Sequence, residues 1–247
     1  MWDDPKALNA IAATLAAFAV ALLAAGVVGW SARHDAFAFR EVVVASPLER
    51  ASAIHLEAAI RDDLSGTFFT LDLERAGAAL ARVPWVRRVS LKRRWPSRLE
   101  IAVEEHRPYA RWGDAALVST EGEIFVASHD GDLPRLDGPD SRVAEVAARH
   151  RAWSELVAPL GLTLPAVALS ARGAWRLTAA GPRAPLAVEL GRDDPDARLR
   201  RFVAAYPRTL GALGRAGTPV AGVDLRYRGG FAARVPGFRE KPARRPA

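Results

Sequence analysis

LARVPWVRRVSLKRRWPSRLEIAVEEHRP, Leu80 to Pro108, decides the fold. Pro84 has no N–H, and its ring disfavours helix in the residue before it, so a helix that reaches Leu80 stops there. Trp85, Arg87, Val89, Leu91 and Arg93 then alternate with Val86, Arg88, Ser90, Lys92 and Arg94. A period of two is the strand signal. Trp95-Pro96-Ser97 marks a turn, and Leu99, Ile101 and Val103 alternate with Arg98, Glu100, Ala102 and Glu104. The stretch therefore reads as a helix end followed by a β-hairpin.

Upstream, Phe39 to Ala45 reads as a strand, stopped by Ser46-Pro47. Ala51 to Leu64 reads as a helix with Ile54, Ala58 and Leu64 facing inward, and Leu64-Ser65-Gly66-Thr67 ends it on a glycine. Phe68, Phe69 and Leu71 read as extended. Asp72 can cap a second helix, Leu73 to Arg82, with Leu73, Ala76, Gly77 and Leu80 on one face. The order strand, helix, helix, strand, strand predicts a three-stranded sheet with two helices on one face, which would bury both apolar sets.

Farther upstream, Ala7 to Ala32 holds no charged residue. At about 1.5 Å per residue its core, Ala7 to Trp30, spans a hydrocarbon layer of about 30 Å. Trp30 suits the membrane interface. A cleaved signal peptide would have a shorter apolar region and more positive charge before it, so an uncleaved anchor is the expectation. Lys6 precedes the segment and Arg33, Arg40 and Arg50 follow it, so basic residues alone leave the orientation open. Ala13, Ala17, Ala21, Ala25 and Gly29 recur at spacing four, a pattern that lets helices pack closely in lipid and that an alanine-rich segment also produces by chance.

Downstream, Arg107 to Trp112 continues as a linking strand. Ala115 to Ser119 and Ile124 to Ala127 flank the turn Thr120-Glu121-Gly122-Glu123. Asp130 to Pro139 reads as a loop, and Ser141 as a helix N-cap. Val143, Val146, His150, Trp153, Val157 and Leu160 lie on one helical face that Gly161 closes. Strands follow at Val167–Ser170, Ala174–Thr178 and Leu186–Leu190, with turns at Gly173 and Gly181-Pro182. A helix beginning at Asp193, Asp194 or Asp196 carries Leu199, Phe202, Val203 and Tyr206, and Val220–Tyr227 with Phe231–Val235 forms a last hairpin about Arg228-Gly229-Gly230. The tail from Phe238, rich in proline and arginine, reads as disordered.

Composition narrows the classes. The 247 residues, half of them apolar, suffice for one large or two small domains. With no cysteine, disulfide frameworks and cysteine-based metal sites are excluded. The net charge of +7 is carried almost wholly by arginine, scattered rather than striped, with no recognition-helix pattern. Codon use in a GC-rich genome explains it better than nucleic-acid binding, so no nucleic-acid partner is expected. No Gly-x-Ser-x-Gly elbow, phosphate loop or His-Glu-x-x-His helix occurs. His106 with Glu104 and Glu105 cannot converge on a metal, because successive strand residues face opposite ways. Asp193-Asp194-x-Asp196 lacks the glycine and distal glutamate of a calcium loop. No catalytic, cofactor or metal site is expected.

A set of motifs in fixed order carries a resemblance: Phe69-x-x-Asp72-Leu73, Pro84-Trp85-Val86-Arg87, Arg93-x-Trp95-Pro96-x-x-Leu99 and Glu104-Glu105-x-x-Pro108-x-Ala110-x-Trp112, then Gly122-x-x-Phe125, Leu133-Pro134, Ser170-Ala171-Arg172-x-x-Trp175, Leu190-Gly191-Arg192, Arg201-Phe202-Val203 and Val223 to Tyr227. Together they resemble the bacterial FtsQ/DivIB cell-division family from Ala7 to Gly237. The resemblance implies an α+β protein: a cytoplasmic N-terminus (1–6), one transmembrane helix (7–30), a POTRA domain of order β-α-α-β-β (37–106), a C-terminal β-rich domain with flanking helices (107–237) and a disordered tail (238–247). It also implies a location in the cell inner membrane at the division septum, with the bulk in the periplasm. The implied function is that of a non-enzymatic divisome scaffold without cofactors. Its expected partners are the FtsB–FtsL pair and, through the POTRA domain, FtsK and other divisome proteins. In that family FtsB adds a strand to the last sheet edge. The residues expected on or beside that edge here are Arg192, Arg226, Tyr227, Gly229, Phe231, Ala232, Ala233, Arg234 and Val235, of which Arg192, Arg226 and Tyr227 match the family's motifs. Some relatives carry a tryptophan near Val235 or Pro236; here Phe231 or Phe238 would have to supply that anchor. Two rival readings are a POTRA-bearing translocation or outer-membrane assembly factor, which would carry repeated units and a β-barrel, and an anchored hydrolase, which would need a convergent site.

Overall fold

Asp72 caps the helix that precedes the opening hairpin: its Oδ1 accepts the backbone N–H of Glu74 at 3.0 Å and of Arg75 at 3.1 Å. The structure, a computed structural model, describes residues 5–34, 37–61, 67–181 and 184–236. The chain divides into two units between Glu105 and His106. The first begins with α1 (Pro5–Ala32), whose segment Leu8–Ala32 is long and apolar enough to cross a membrane. It is followed by β1 (Glu41–Val44), α2 (Ala53–Arg61), α3 (Leu73–Leu80), β2 (Val86–Arg94) and β3 (Arg98–Glu105). The strands form a three-stranded sheet of order β1-β3-β2, with β1 parallel and β2 antiparallel to β3. The expected β-α-α-β-β order is present.

Leu56 and Ile60 of α2, Ala76 and Leu80 of α3, and Leu99, Ile101 and Val103 of β3 are buried, and all but Ala76 meet in one core with Val83 and Val86. The expected inward face of α2 is corrected: Ile54 is 75% exposed, because Leu56 and Ile60, four residues apart, take the core-facing stripe. Leu64, Ser65 and Gly66 lie outside the described residues. Phe68 to Thr70 form a turn rather than an extended segment, and Trp85 precedes β2 with φ of 72° instead of belonging to it. On the opposite face of the sheet, charges pair across strands: Arg98 with Glu41, Arg94 with Glu100, and Arg88 with Glu104. Such exposed pairs fix register more than they stabilise.

Among the described residues, the second unit holds nine strands in one sheet. They are β4 (Pro108–Trp112), β5 (Ala116–Ser119), β6 (Ile124–Phe125), β7 (Arg135–Asp137), β8 (Thr163–Leu169), β9 (Trp175–Ala180), β10 (Leu186–Gly191), β11 (Gly222–Asp224) and β12 (Ala232–Arg234). The order across the sheet is β12-β11-β10-β9-β8-β7-β4-β5-β6. Helices α4 (Val143–Val157), α5 (Pro195–Ala205) and α6 (Leu210–Arg215) accompany it. As expected, Val146, His150, Trp153 and Val157 form the buried stripe of α4, and Gly161 ends the following 3-10 turn with φ of 70°. Trp153 meets Trp175 edge-on at 5.1 Å, and Trp153 Nε1–H donates to Asp196 Oδ1 at 2.7 Å, which ties α4 to α5.

Two readings are corrected here, and the start of α5 is narrowed to one of its three expected positions. Residues 130–139, read as a loop, contain the interior strand β7, whose Leu136 is fully buried between β4 and β8, parallel to both. Ser141 lies inside a 3-10 turn and caps nothing. Helix α5 starts at Pro195, with Asp194 at the cap position in the left-handed region (φ 44°) and no side-chain cap bond. Helix α6 was not foreseen. The tail, Phe238 included, lies outside the described residues.

Candidate partner-binding edge

The last strand owes its position to a turn. Arg228, Gly229 and Gly230 reverse the chain after β11, and β12 pairs antiparallel with it: Gly222 with Arg234, Val223 with Ala233, and Asp224 with Ala232. Val223 and Leu225 are buried, so this hairpin is fixed to the core from the β11 side. β11 in turn runs parallel to β10, with Val188 beside Val223 and Glu189 beside Asp224. β12 is the terminal strand of the sheet order, and Ala232, Ala233 and Arg234 are all exposed. A strand pairs on two sides; β12 has β11 on one, and no described strand occupies the other. Its short length fits the way native sheets blunt an open edge.

Beside the edge, charges are arranged in register. Arg176 Nε donates to Glu189 Oε1 at 2.6 Å, one strand in from β11. Arg226 grips Asp224 with two nitrogens, Nε 2.8 Å from Oδ1 and Nη2 2.6 Å from Oδ2. This hydrogen-bonded guanidinium holds the Asp224 carboxyl below the usual carboxylate range and raises Arg226 in return. Asp224 Oδ1 also accepts the Arg226 backbone N–H at 3.0 Å, which fixes the turn out of β11. The sheet thus holds two arginine–carboxylate pairs in fixed geometry beside its free edge.

Gly191, at the end of β10, has φ of 74°. A Cβ there would lie 2.7 Å from Arg198 Nη1 and 2.9 Å from Arg226 Cγ, so glycine admits both side chains. Arg192 follows it, exposed, with Nε 3.6 Å from Asp193 Oδ1. Arg192 and Arg226, far apart in sequence, therefore flank one glycine. Tyr227 is 58% exposed. Phe231 is different: its ring meets Phe202 edge-on at 5.9 Å and packs against the core. The resemblance placed Phe231 as a contact residue, and the structure gives it a second role as the staple between the hairpin and α5. Gly229 lies in the turn, and Val235, half-buried, follows β12.

Sequence reading missed Arg198 on α5 and named Arg201 only within the motif Arg201-Phe202-Val203. Arg198 Nη1 donates to the Leu190 carbonyl at 2.6 Å, and Arg201 Nη1 to the Arg228 carbonyl at 2.7 Å. These bonds fasten α5 to both ends of the edge structure and leave a cleft between α5 and the Arg228–Phe231 turn, floored by Phe202 and Leu225.

Comparisons with known proteins agree in both units. The family model described as "Cell division protein FtsQ/DivIB, C-terminal" matches residues 110–226, and that described as "POTRA domain, FtsQ-type" matches residues 37–106. Among similar proteins, Cell division protein FtsQ of Burkholderia pseudomallei is 38% identical, over 97% of this chain and 96% of that protein. The FtsQ proteins of Nitrosospira multiformis and Neisseria gonorrhoeae are 35% and 30% identical, over 95% of this chain in each case and over 99% and 95% of those proteins. The C-terminal match ends at Arg226, so Tyr227 to Val235 lie beyond it.

Proposed function

Because this chain belongs to the FtsQ/DivIB family of bacterial cell-division proteins, we propose that it is a non-catalytic divisome scaffold whose β12 edge captures a strand of FtsB, held with FtsL. The observation that carries this reading is the exposed terminal strand β12 with Arg192, Arg226 and Tyr227 beside it. A visiting strand would take main-chain hydrogen bonds from the edge and register from the fixed arginines. Helix α1 anchors the protein in the cell inner membrane, with residues 1–6 in the cytoplasm and the two folded units, 37–106 and 107–237, in the periplasm at the septum. The POTRA unit serves contacts with earlier divisome proteins such as FtsK.

Two experiments test this. In co-purification of the full chain with FtsB–FtsL, Tyr227→Glu should lose the pair while the circular dichroism of the chain stays unchanged; undiminished capture would refute the edge. Depletion should yield undivided filaments. Normal division with a damaged outer membrane would favour the translocation reading instead.

A further inference from the structure

A group of aromatic rings closes over the end of α1. Thr67 is only 6% exposed, and its hydroxyl donates at 2.5 Å to the carbonyl of Ala32, in the last turn of α1, where carbonyls lack partners within the helix. The backbone reinforces the tie: Phe37 N–H donates to the His34 carbonyl at 2.9 Å, and Phe68 N–H to the Phe37 carbonyl at 2.7 Å. These bonds gather phenylalanines beside the helix end. Phe69 meets Phe37 at 5.3 Å and Phe68 at 5.4 Å, both edge-on. Leu71, two residues on, is buried, yet Phe69 leaves 54% of its surface uncovered.

We propose that Phe69, backed by Phe37 and Phe68, is a membrane-surface anchor that inserts into the headgroup layer of the leaflet from which α1 emerges. Phe69 is two residues from the Thr67 tie, so chain length alone keeps it within about 7 Å of it. The headgroup layer is about 5–7 Å deep on each side of the hydrocarbon. Trp30, 69% exposed and less than one turn before Ala32, marks the interface level on the helix itself. Arg33 reaches back to the Gly29 carbonyl at 3.0 Å, the posture of a side chain at a helix exit, and Arg40 is exposed just past Phe39. A helix exit that carries exposed arginines, with an exposed apolar ring tied beside it, suits an anionic phospholipid surface. The anchor would hold the first folded unit against the bilayer.

The inference rests on α1 crossing the bilayer, and the test separates the two. The chain has no cysteine, so single cysteines can be spin-labelled without background. Labels at Leu22, Phe69 and Arg88 would be placed in the full chain, in nanodiscs of phosphatidylethanolamine and phosphatidylglycerol; Arg88 is exposed and pairs with Glu104, at the end of the hairpin away from the turn that bonds Arg40. Collision with oxygen and with a water-soluble nickel chelate is then measured. The label at Leu22 should meet oxygen only, and that at Arg88 chiefly nickel. The label at Phe69 should meet nickel at least about fivefold less than that at Arg88 while still meeting oxygen. Equal nickel exposure at Phe69 and Arg88, with Leu22 dry, overturns the anchor alone; a wet Leu22 overturns the spanning helix and the anchor with it. Shielding of Phe69 from both reagents overturns the anchor in favour of contact with a second copy. Because the label is itself apolar, a second series places it at Arg40 and compares native Phe69 with Phe69→Asp. Nickel exposure should rise in the Asp variant, and an unchanged value sinks the proposal.

Discussion

Oε1 of Glu105, the last residue of β3, accepts the backbone N–H of Ala51 at 2.9 Å. The same carboxylate takes the N–H groups of Glu49 and Arg50 at 3.1 Å each. Glu105 stands next to Glu104 in a stretch that, read as sequence, merely ends a strand, and the structure makes it the clasp for the approach to α2. Glu105→Ala should lower the stability of the first unit by about 1.5–3 kcal/mol, the range for hydrogen bonds to a charged group. Faster hydrogen exchange in α2 would report it, with α4 unaffected, and Glu105→Gln should recover part of the loss.

His150 predicts a pH dependence. Its Nε2 lies 2.8 Å from the Leu164 carbonyl, which can only accept, so Nε2 carries the proton and Nδ1 accepts from the Tyr109 hydroxyl at 2.5 Å. Burial, with the nearby Arg151 adding to it, lowers the His150 pKa from 6.5, and burial raises that of Tyr109. The unfolded chain therefore binds a proton more readily than the folded one, and stability falls as pH drops from about 6.5 toward the lower folded value. Above that window the contribution is complete. Denaturant unfolding of the second unit between pH 8 and pH 5 should show this slope, and His150→Gln should flatten it relative to the parent chain.

Trp153 and Asp196 offer a test of packing. Asp196 Oδ2 also lies 3.2 Å from Arg149 Nη1, whose guanidinium rests 4.8 Å from the Trp175 ring centre. Asp196→Ala would strand the indole N–H of a residue 1% exposed, at a cost of about 1–3 kcal/mol. A matching drop in the melting temperature of the second unit, with Trp fluorescence shifted, is the expected result.

Gly191→Ala tests the corner of the edge. The added methyl meets Arg198 and Arg226, and the left-handed backbone costs about 1–2 kcal/mol for any residue with a Cβ. FtsB–FtsL capture should weaken by more than the stability change explains, because Arg226 is displaced from Asp224.

Charge at the two aromatic positions should separate their roles. Tyr227→Glu is expected to act on binding alone, since the ring is exposed. Phe231→Glu would unseat the contact with Phe202, so it should lower the melting temperature as well as capture. Equal melting temperatures for both variants would contradict the staple.

What the sequence discloses depends on how local the cause is. The hairpin Val86–Glu105, the cap at Asp72 and the stripe of α4 follow from periodicity and turn chemistry within one segment, and all three are present. β7 is hidden because only Leu136 of its three residues is apolar and its parallel neighbours come from distant parts of the chain. Ile54 misleads because a short helix offers two apolar stripes and only tertiary packing selects Leu56 and Ile60. α6, with two glycines in six residues, carries little propensity of its own. At the candidate site, the family motifs name Arg192, Arg226 and Tyr227, but the bonds from Arg198 and Arg201 to backbone carbonyls have no sequence signature.

The terminal hairpin is joined to β10 through three residue pairs, and β12 to β11 through three more. Opening of so short a segment is among the cheapest fluctuations of a fold. A strand docking on β12 needs the hairpin closed, so the docked and frayed states compete for one population. Affinity is then set jointly by the edge and by the closed fraction. Trimming Val223, which is buried, to alanine should weaken the partner's apparent affinity in proportion to the lost closed fraction, and the bound partner should in turn slow hydrogen exchange throughout β11.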